Sequence, residues 1–400
     1  MVRRGIEHRT PVRSDLWGIH TLTTAGIRQV RHINHSLDVV RGVAALLVVV
    51  SHARLYSLTA TGTPLNSLPS WAQLLLAPTG FGREAVAIFF VLSGFLVGGQ
   101  VVRLVKAGKF DAVDYGVKRL SRLWSVLIPG LIFTAAFDIV IRSILPGNLR
   151  LLDIADDNPL TALCNAAFLM PTRCLAYGTD ESLWSLGYEF WFYILFAAVA
   201  VGGSFFLRKK WLAGAIATAV GLACVLLFGI ELLALIPAWL VGVGVAAVVS
   251  MRSRSIQHRA MAITLALALA LVGIVAPSFL HVVEPIKFAI IGLTTAPLIG
   301  ILALTDPAPR RSRRLFMSLA WIGEWSFSIY VFHLPIVKLF ALLLPDAPPP
   351  LLLVMIYATA AIAVAATYPL FLISEKRMGA WRTAMFAIVG RRGAKASVQS

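Results

Sequence analysis

Charge is scarce in this 400-residue chain, 14% of residues, and acids are the scarcer kind: 19 Asp and Glu stand against 36 Lys and Arg. With 58% hydrophobic residues and a mean hydropathy of +0.81, that scarcity excludes a solvated globule and leaves a polytopic membrane protein. The acid deficit, a net charge of +17, would point to nucleic acid in a soluble chain. No nucleic-acid partner is expected here, because positive charge in a membrane protein has a topological cause. The three cysteines form no metal-ligand pattern. Cys224 falls mid-helix. Cys164 and Cys174 fall near one loop, where an oxidising compartment would permit a disulfide, although two free, partly buried thiols are the default expectation. Residues 1–34 lack the apolar stretch and cleavage site of a signal peptide and read as a disordered basic arm. No loop is long enough for a large soluble domain. No internal repeat is evident, which weakens a transporter built from repeated halves.

What is present is a series of apolar runs. The expected spans are 38–57, 84–105, 125–145, 183–205, 211–229, 232–250, 260–280, 286–304, 322–344 and 351–373, each near the roughly 20 residues that a spanning helix needs. The fold class is therefore an all-α integral membrane protein of about ten transmembrane helices. It divides into a basic arm (1–35), a membrane domain (36–377) and a basic tail (378–400). If residue 1 is cytoplasmic, 29 of the 36 Lys and Arg fall on that side, and the loop 146–182 opposite is acidic, with Asp153, Asp156, Asp157, Asp180 and Glu181. The asymmetry places both termini in the cytoplasm.

Ionisable residues inside spans cost roughly 2.5–3.5 kcal/mol each on insertion scales, so they usually face protein and mark function. The first span, SLDVVRGVAALLVVVSHARLYS, carries Arg41 and His52. Eleven residues apart, they lie within roughly 20° on a helix and some 16 Å apart along it. Glu189 lies in ESLWSLGYEFWFYILF, and His333 in WIGEWSFSIYVFHLPI, one turn after Tyr330. Depth from the span ends puts His52, Glu189 and His333 toward the outer half. Two histidines and a carboxylate suit a general base, its orienting partner and a proton relay, or else hydrogen-bonded glue between helices. On the cytoplasmic side, Lys118, Arg119 and Arg122 recur at helical spacing in DYGVKRLSRLW. With Arg41 they suit a phosphorylated ligand, since guanidinium meets phosphate oxygens in bidentate geometry; topology alone also accounts for such charges. Ser93-Gly94 reads as a small-residue packing patch rather than a nucleophile, with no base signalled beside it.

Five motifs in order, LDVVRGVAALLVVVSH, FFVLSGFL, RLSRLWSVLIP, WSLGYEFWFYILF and WIGEWSFSIYVFHLPI, make the chain from about 36 to 377 similar to the acyltransferase type 3 family. That resemblance implies ten helices in a bacterial inner membrane and O-acyl transfer from cytoplasmic acyl-CoA, with acetyl-CoA the expected co-substrate and no tightly bound cofactor. It also implies a hydroxyl acceptor, such as a cell-surface glycan or a lipid-linked sugar, often outside. By resemblance, Arg41 and His52 match the essential Arg/His pair, Glu189 the acid of the WSLxxE segment, and Tyr330 and His333 the late motif. Arg119 and Arg122 join Arg41 as expected donor-binding groups. Val39-Val40 and Gly187-Tyr188 depart from the usual pattern without touching charged groups. Many relatives append a soluble esterase-like domain; none is expected here, which leaves room for a separate periplasmic transferase as partner beside membrane lipids. The competing class is a proton-coupled transporter or flippase, which the helix count fits equally well and the motif order does not.

The charge count generates a test of sidedness. In a cysteine-free background, Asp156→Cys should react with a membrane-impermeant thiol reagent in intact cells and Ser312→Cys should not. The reverse pattern would overturn the orientation.

Overall fold

A computed structural model describes residues 34–144, 156–251, 258–305 and 313–390; the expected basic arm, bar its last two residues, and the end of the tail lie outside these. Helix α1 (His35–Ala60) starts where the Asn34 side chain accepts the amides of Ser36 and Leu37, satisfying donors that the first turn leaves free. A short helix α2 (Ser70–Leu76) leads to α3 (Gly82–Ser93), which runs through a π-helical turn at Gly94–Gly98 into α4 (Gly99–Lys106). Then follow α5 (Ala112–Ile144), α6 (Pro159–Ala166), α7 (Trp184–Leu207), α8 (Trp211–Met251), α9 (Arg259–Phe279) and α10 (Glu284–Thr305). The last are α11 (Arg313–Glu324), α12 (Ser326–Leu342), α13 (Pro349–Ile373) and α14 (Met378–Ile388). No strand forms among the described residues, beyond a single bridge between Asp156 and Tyr177.

Among the described residues, eight helices are long and apolar enough to cross a membrane, or nine if α11 and α12, bent by 75°, form one span. The ten spans expected from the sequence include two that the structure joins as α8. At 41 residues α8 is about 60 Å long, twice a hydrocarbon core. Gly229 breaks it with φ 66° and ψ −162°, a conformation open to glycine. Each half is about as long as one crossing needs.

Helix α1 is central and packs against α3, α11, α12 and α13. Lipid supplies no hydrophobic drive between helices, so association rests on close backbone approach at small residues. A Cβ on Gly42 would meet the Leu319 carbonyl, and one on Gly323 the Asp38 carbonyl, which seats α11 on α1. Gly94 and the Trp239 carbonyl, with Gly242 and the Val91 carbonyl, do the same reciprocally for α3 and α8.

One expectation is corrected. Cys164 and Cys174 are paired in a disulfide instead of free; both lie on one tucked hairpin, which brings two thiols ten residues apart into register. The described part of the loop expected on the outer side is not simply solvent-exposed. Residues 156–180 fold inward between α5 and α7, with Asn165, Phe168 and Met170 fully buried. Trp124 Nε1 on α5 donates to the Ala166 carbonyl at 2.8 Å, and Trp191 Nε1 on α7 to the Phe168 carbonyl at 2.8 Å. A buried irregular backbone must have its polar groups satisfied by such partners. The basic tail expected from residue 378 is helical from Met378 to Ile388, and this helix, α14, packs on α5.

Glycine packing gives the next prediction. Gly242→Ala should lower the stability of the detergent-solubilised protein by about 1–3 kcal/mol. Gly244→Ala, where an added Cβ meets nothing within 4 Å, should leave it unchanged. Equal melting temperatures for the two variants would contradict the packing account.

Candidate active site

The two histidines of the sequence reading meet. His52 Nδ1 on α1 lies 2.8 Å from His333 Nε2 on α12, with the rings stacked 5.1 Å apart. His333 is fully buried, and its Nδ1 faces two backbone carbonyls, Ile329 at 3.0 Å and Tyr330 at 2.9 Å. Carbonyls only accept, so His333 Nδ1 carries the hydrogen. In the neutral ring its Nε2 is then an acceptor, and His52 Nδ1 must donate to it. The tautomer of His52 follows from these bonds: Nδ1 is protonated and Nε2 holds the lone pair. A histidine so arranged is a ready proton acceptor at Nε2.

One turn beyond His52 on the same face stands Tyr56, which the sequence reading passed over. Its hydroxyl donates to Glu181 Oε2 at 2.9 Å, while Lys338 Nζ donates to Glu181 Oε1 at 2.7 Å and lies 4.8 Å above the Tyr56 ring. The Lys338 side chain is fully buried, while that of Glu181 is 41% exposed. The pair therefore links the histidine site to the molecular surface at this end. The signal for Lys338 was available: it is a cation inside an apolar span, the same anomaly that marks Arg41 and His52.

Glu189 sits elsewhere. Its Oε1 accepts from the Ser93 hydroxyl at 2.8 Å and from the Tyr193 hydroxyl, and Ser93 in turn accepts from Trp239 Nε1 at 3.3 Å. No hydrogen bond joins Glu189 to either histidine among the described residues, so His333, not Glu189, orients His52. Ser93 occupies the last position before the π-helical turn, which re-aims that part of the helix toward α7. Glu189, Ser93 and Tyr193 line a cavity of about 70 Å³ together with Arg41, Arg122 and Tyr330. Tyr330 connects this cavity to the histidines. Its hydroxyl donates to the Ser182 carbonyl at 2.8 Å and accepts from Ser185 at 2.7 Å, while its carbonyl holds His333 Nδ1. The Ser182 hydroxyl lies 2.5 Å from Asp180 and 3.2 Å from the Tyr330 carbonyl. Burial pushes the Asp180 carboxyl up to about 7, so near neutral pH it exists in both protonation states.

The cations gather at the opposite end. Arg41 pairs with Asp38 at 3.4 Å, both largely buried. Arg119 donates to Gln100 Oε1 at 3.0 Å and lies 5.8 Å above the Tyr115 ring, and Lys118 pairs with Asp114 at 2.8 Å. Glu375, which accepts from the amide and hydroxyl of Ser328, lies within electrostatic range of Arg41 and Arg122. Helix α1 thus carries a guanidinium at one end of the site and an imidazole about 16 Å along. Among the described residues, no three His, Cys, Asp or Glu side chains group as a metal site.

A multi-pass helical membrane protein with a hydrogen-bonded histidine dyad, and a half-buried carboxylate in a cavity that Arg41 and Arg122 also line, has the parts of a membrane-embedded group-transfer enzyme. The acyltransferase domain profile of the acyltransferase 3 family matches residues 34–368, and the chain belongs to that family. Membership implies acyltransferase activity. Comparison with curated proteins and with solved structures finds no match.

The Glu181–Lys338 pair generates an asymmetric prediction. Glu181→Ala removes the carboxylate hydrogen-bonded to a fully buried ammonium and should cost about 3 kcal/mol of stability. Lys338→Met leaves a carboxylate that water reaches and should cost about 1 kcal/mol or less. Denaturant titration in detergent that gave the reverse order would contradict the burial assigned to the two groups.

Proposed function

We propose that the protein is an O-acyltransferase that moves an acyl group, acetyl in the first instance, from cytoplasmic acyl-CoA to a hydroxyl of a cell-surface glycan or lipid-linked sugar. The observation that carries this reading is the hydrogen-bond chain from the Ile329 and Tyr330 carbonyls through His333 to His52, which leaves Nε2 of His52 as the base. Arg41, Arg119 and Arg122 are the donor-binding groups, and the charge asymmetry supports a cytoplasmic side for them.

In the reaction the acceptor hydroxyl gives its proton to His52 Nε2 as its oxygen bonds to the thioester carbonyl carbon. The carbon–sulfur bond then breaks, and the departing thiolate takes the proton from Nε2 and leaves as CoA thiol. While protonated, His52 keeps donating through Nδ1 to His333 Nε2, a neutral acceptor that stabilises the imidazolium without moving it. His333 is a positioning residue in this scheme. Glu189, held by Ser93 and Tyr193, lines the donor cavity, and Tyr330 ties that cavity to the dyad. At about 70 Å³ the cavity holds a few waters, so entry of a pantetheine arm requires its walls to part.

Purified protein should release CoA thiol from acetyl-CoA in the presence of a hydroxyl acceptor. His52→Ala should lower that rate by 10²–10⁴-fold, the usual loss for a general base, with folding intact by thermal unfolding. More than about a tenth of the activity remaining in the folded variant would remove His52 from this role.

A further inference from the structure

The arginine cluster has a member beyond the family match. Arg382 lies on α14, past residue 368 where the acyltransferase domain ends, and α14 packs on α5, the helix that carries Arg119 and Arg122. Arg382 is within electrostatic range of both. Its one acidic neighbour recorded at that range is Asp114, which is already paired with Lys118. The Nε atoms of Arg382 and Arg119 are both buried and without any hydrogen-bond partner.

Unsatisfied guanidinium N–H groups are costly when buried, and like charges held together repel. Arg119 and Arg382 each carry an unsatisfied N–H, and with Arg122, which lines the cavity beside Arg41, they hold three like charges within electrostatic range. A polyanion with several oxygens relieves both at once, because each guanidinium presents N–H donors in a planar fork that matches phosphate. We propose that Arg382 on α14 completes a phosphate-binding cradle with Arg119 and Arg122, and that its ligand is the phosphorylated nucleotide head of the acyl donor. The inference rests on the donor assignment above and adds to it a residue on the C-terminal helix. It makes α14 part of the binding site.

The probes are adenosine 3′,5′-bisphosphate and CoA, titrated calorimetrically into the full-length protein in neutral detergent. Wild-type protein should bind both. Arg382→Gln should weaken both by at least about tenfold, as expected for losing a charge-assisted contact to phosphate. Arg377→Gln, the same charge change at an exposed position on the turn before α14, should weaken them less than twofold. Unchanged affinity in Arg382→Gln overturns the cradle. So does equal weakening in the two variants, which would reduce the effect to general charge. Unchanged nucleotide affinity with loss of bound phosphatidylglycerol in Arg382→Gln would assign the arginine to a lipid headgroup and also overturn it. Wild-type protein that binds neither probe would instead remove the donor assignment itself.

Discussion

The arrangement depends on one hydrogen bond between two imidazoles inside a helical bundle. A neutral histidine offers one donor and one acceptor, and which nitrogen does which is set by its surroundings. Here two backbone carbonyls of α12 fix His333, and His333 fixes His52. The order of protons passes from a rigid backbone to the reacting atom with no carboxylate between. Helix α12 must therefore hold its register against α1, and the close contacts of Gly42 and Gly323 that seat α11 on α1 fix the helix leading into it.

Around that bond the protein sorts its charges by position. Cations that would be costly in lipid are given partners at both ends of α1: Asp38 for Arg41 at one, Glu181 for Lys338 at the other. Between them lie the apolar wall and the cavity lined by Glu189. In the proposed reaction, a donor among the arginines and an acceptor arriving past Glu181 meet near His52 without the nucleotide crossing the bilayer. The inward-folded hairpin 156–180 and its disulfide close one side of the bundle, and this same hairpin leads directly into Asp180, Ser182 and the Tyr330 hydroxyl. Structural closure and site construction use the same residues.

Much of this was legible in the sequence because membrane insertion is so restrictive. An arginine and a histidine eleven residues apart in one apolar run announce a functional face, and His333 is conspicuous for the same reason. What the sequence did not show is which polar groups touch. Depth counted from span ends grouped Glu189 with the two histidines, whereas contact depends on helix rotation, which puts Glu189 against Ser93 beside the π-helical turn. Nor did the sequence show that much of 156–180 is buried, with the Ala166 and Phe168 carbonyls accepting from Trp124 and Trp191 on spans at either side. Lys338 and Arg382 followed the same rules as the residues that were singled out. Lys338 was passed over within its span, and Arg382 was lost among tail charges that topology already explained.

The central claim is the proton order in the histidine dyad, and nitrogen-15 NMR of histidine-labelled protein at neutral pH reads it directly. The account predicts one ring, His52, with Nδ1 protonated and Nε2 bare, and a hydrogen-bond coupling from that Nδ1 to a bare Nε2 of His333. Both signatures should vanish in a folded His333→Ala variant. A wild-type His52 with its proton on Nε2, or a spectrum of that ring unchanged by His333→Ala, would contradict the account.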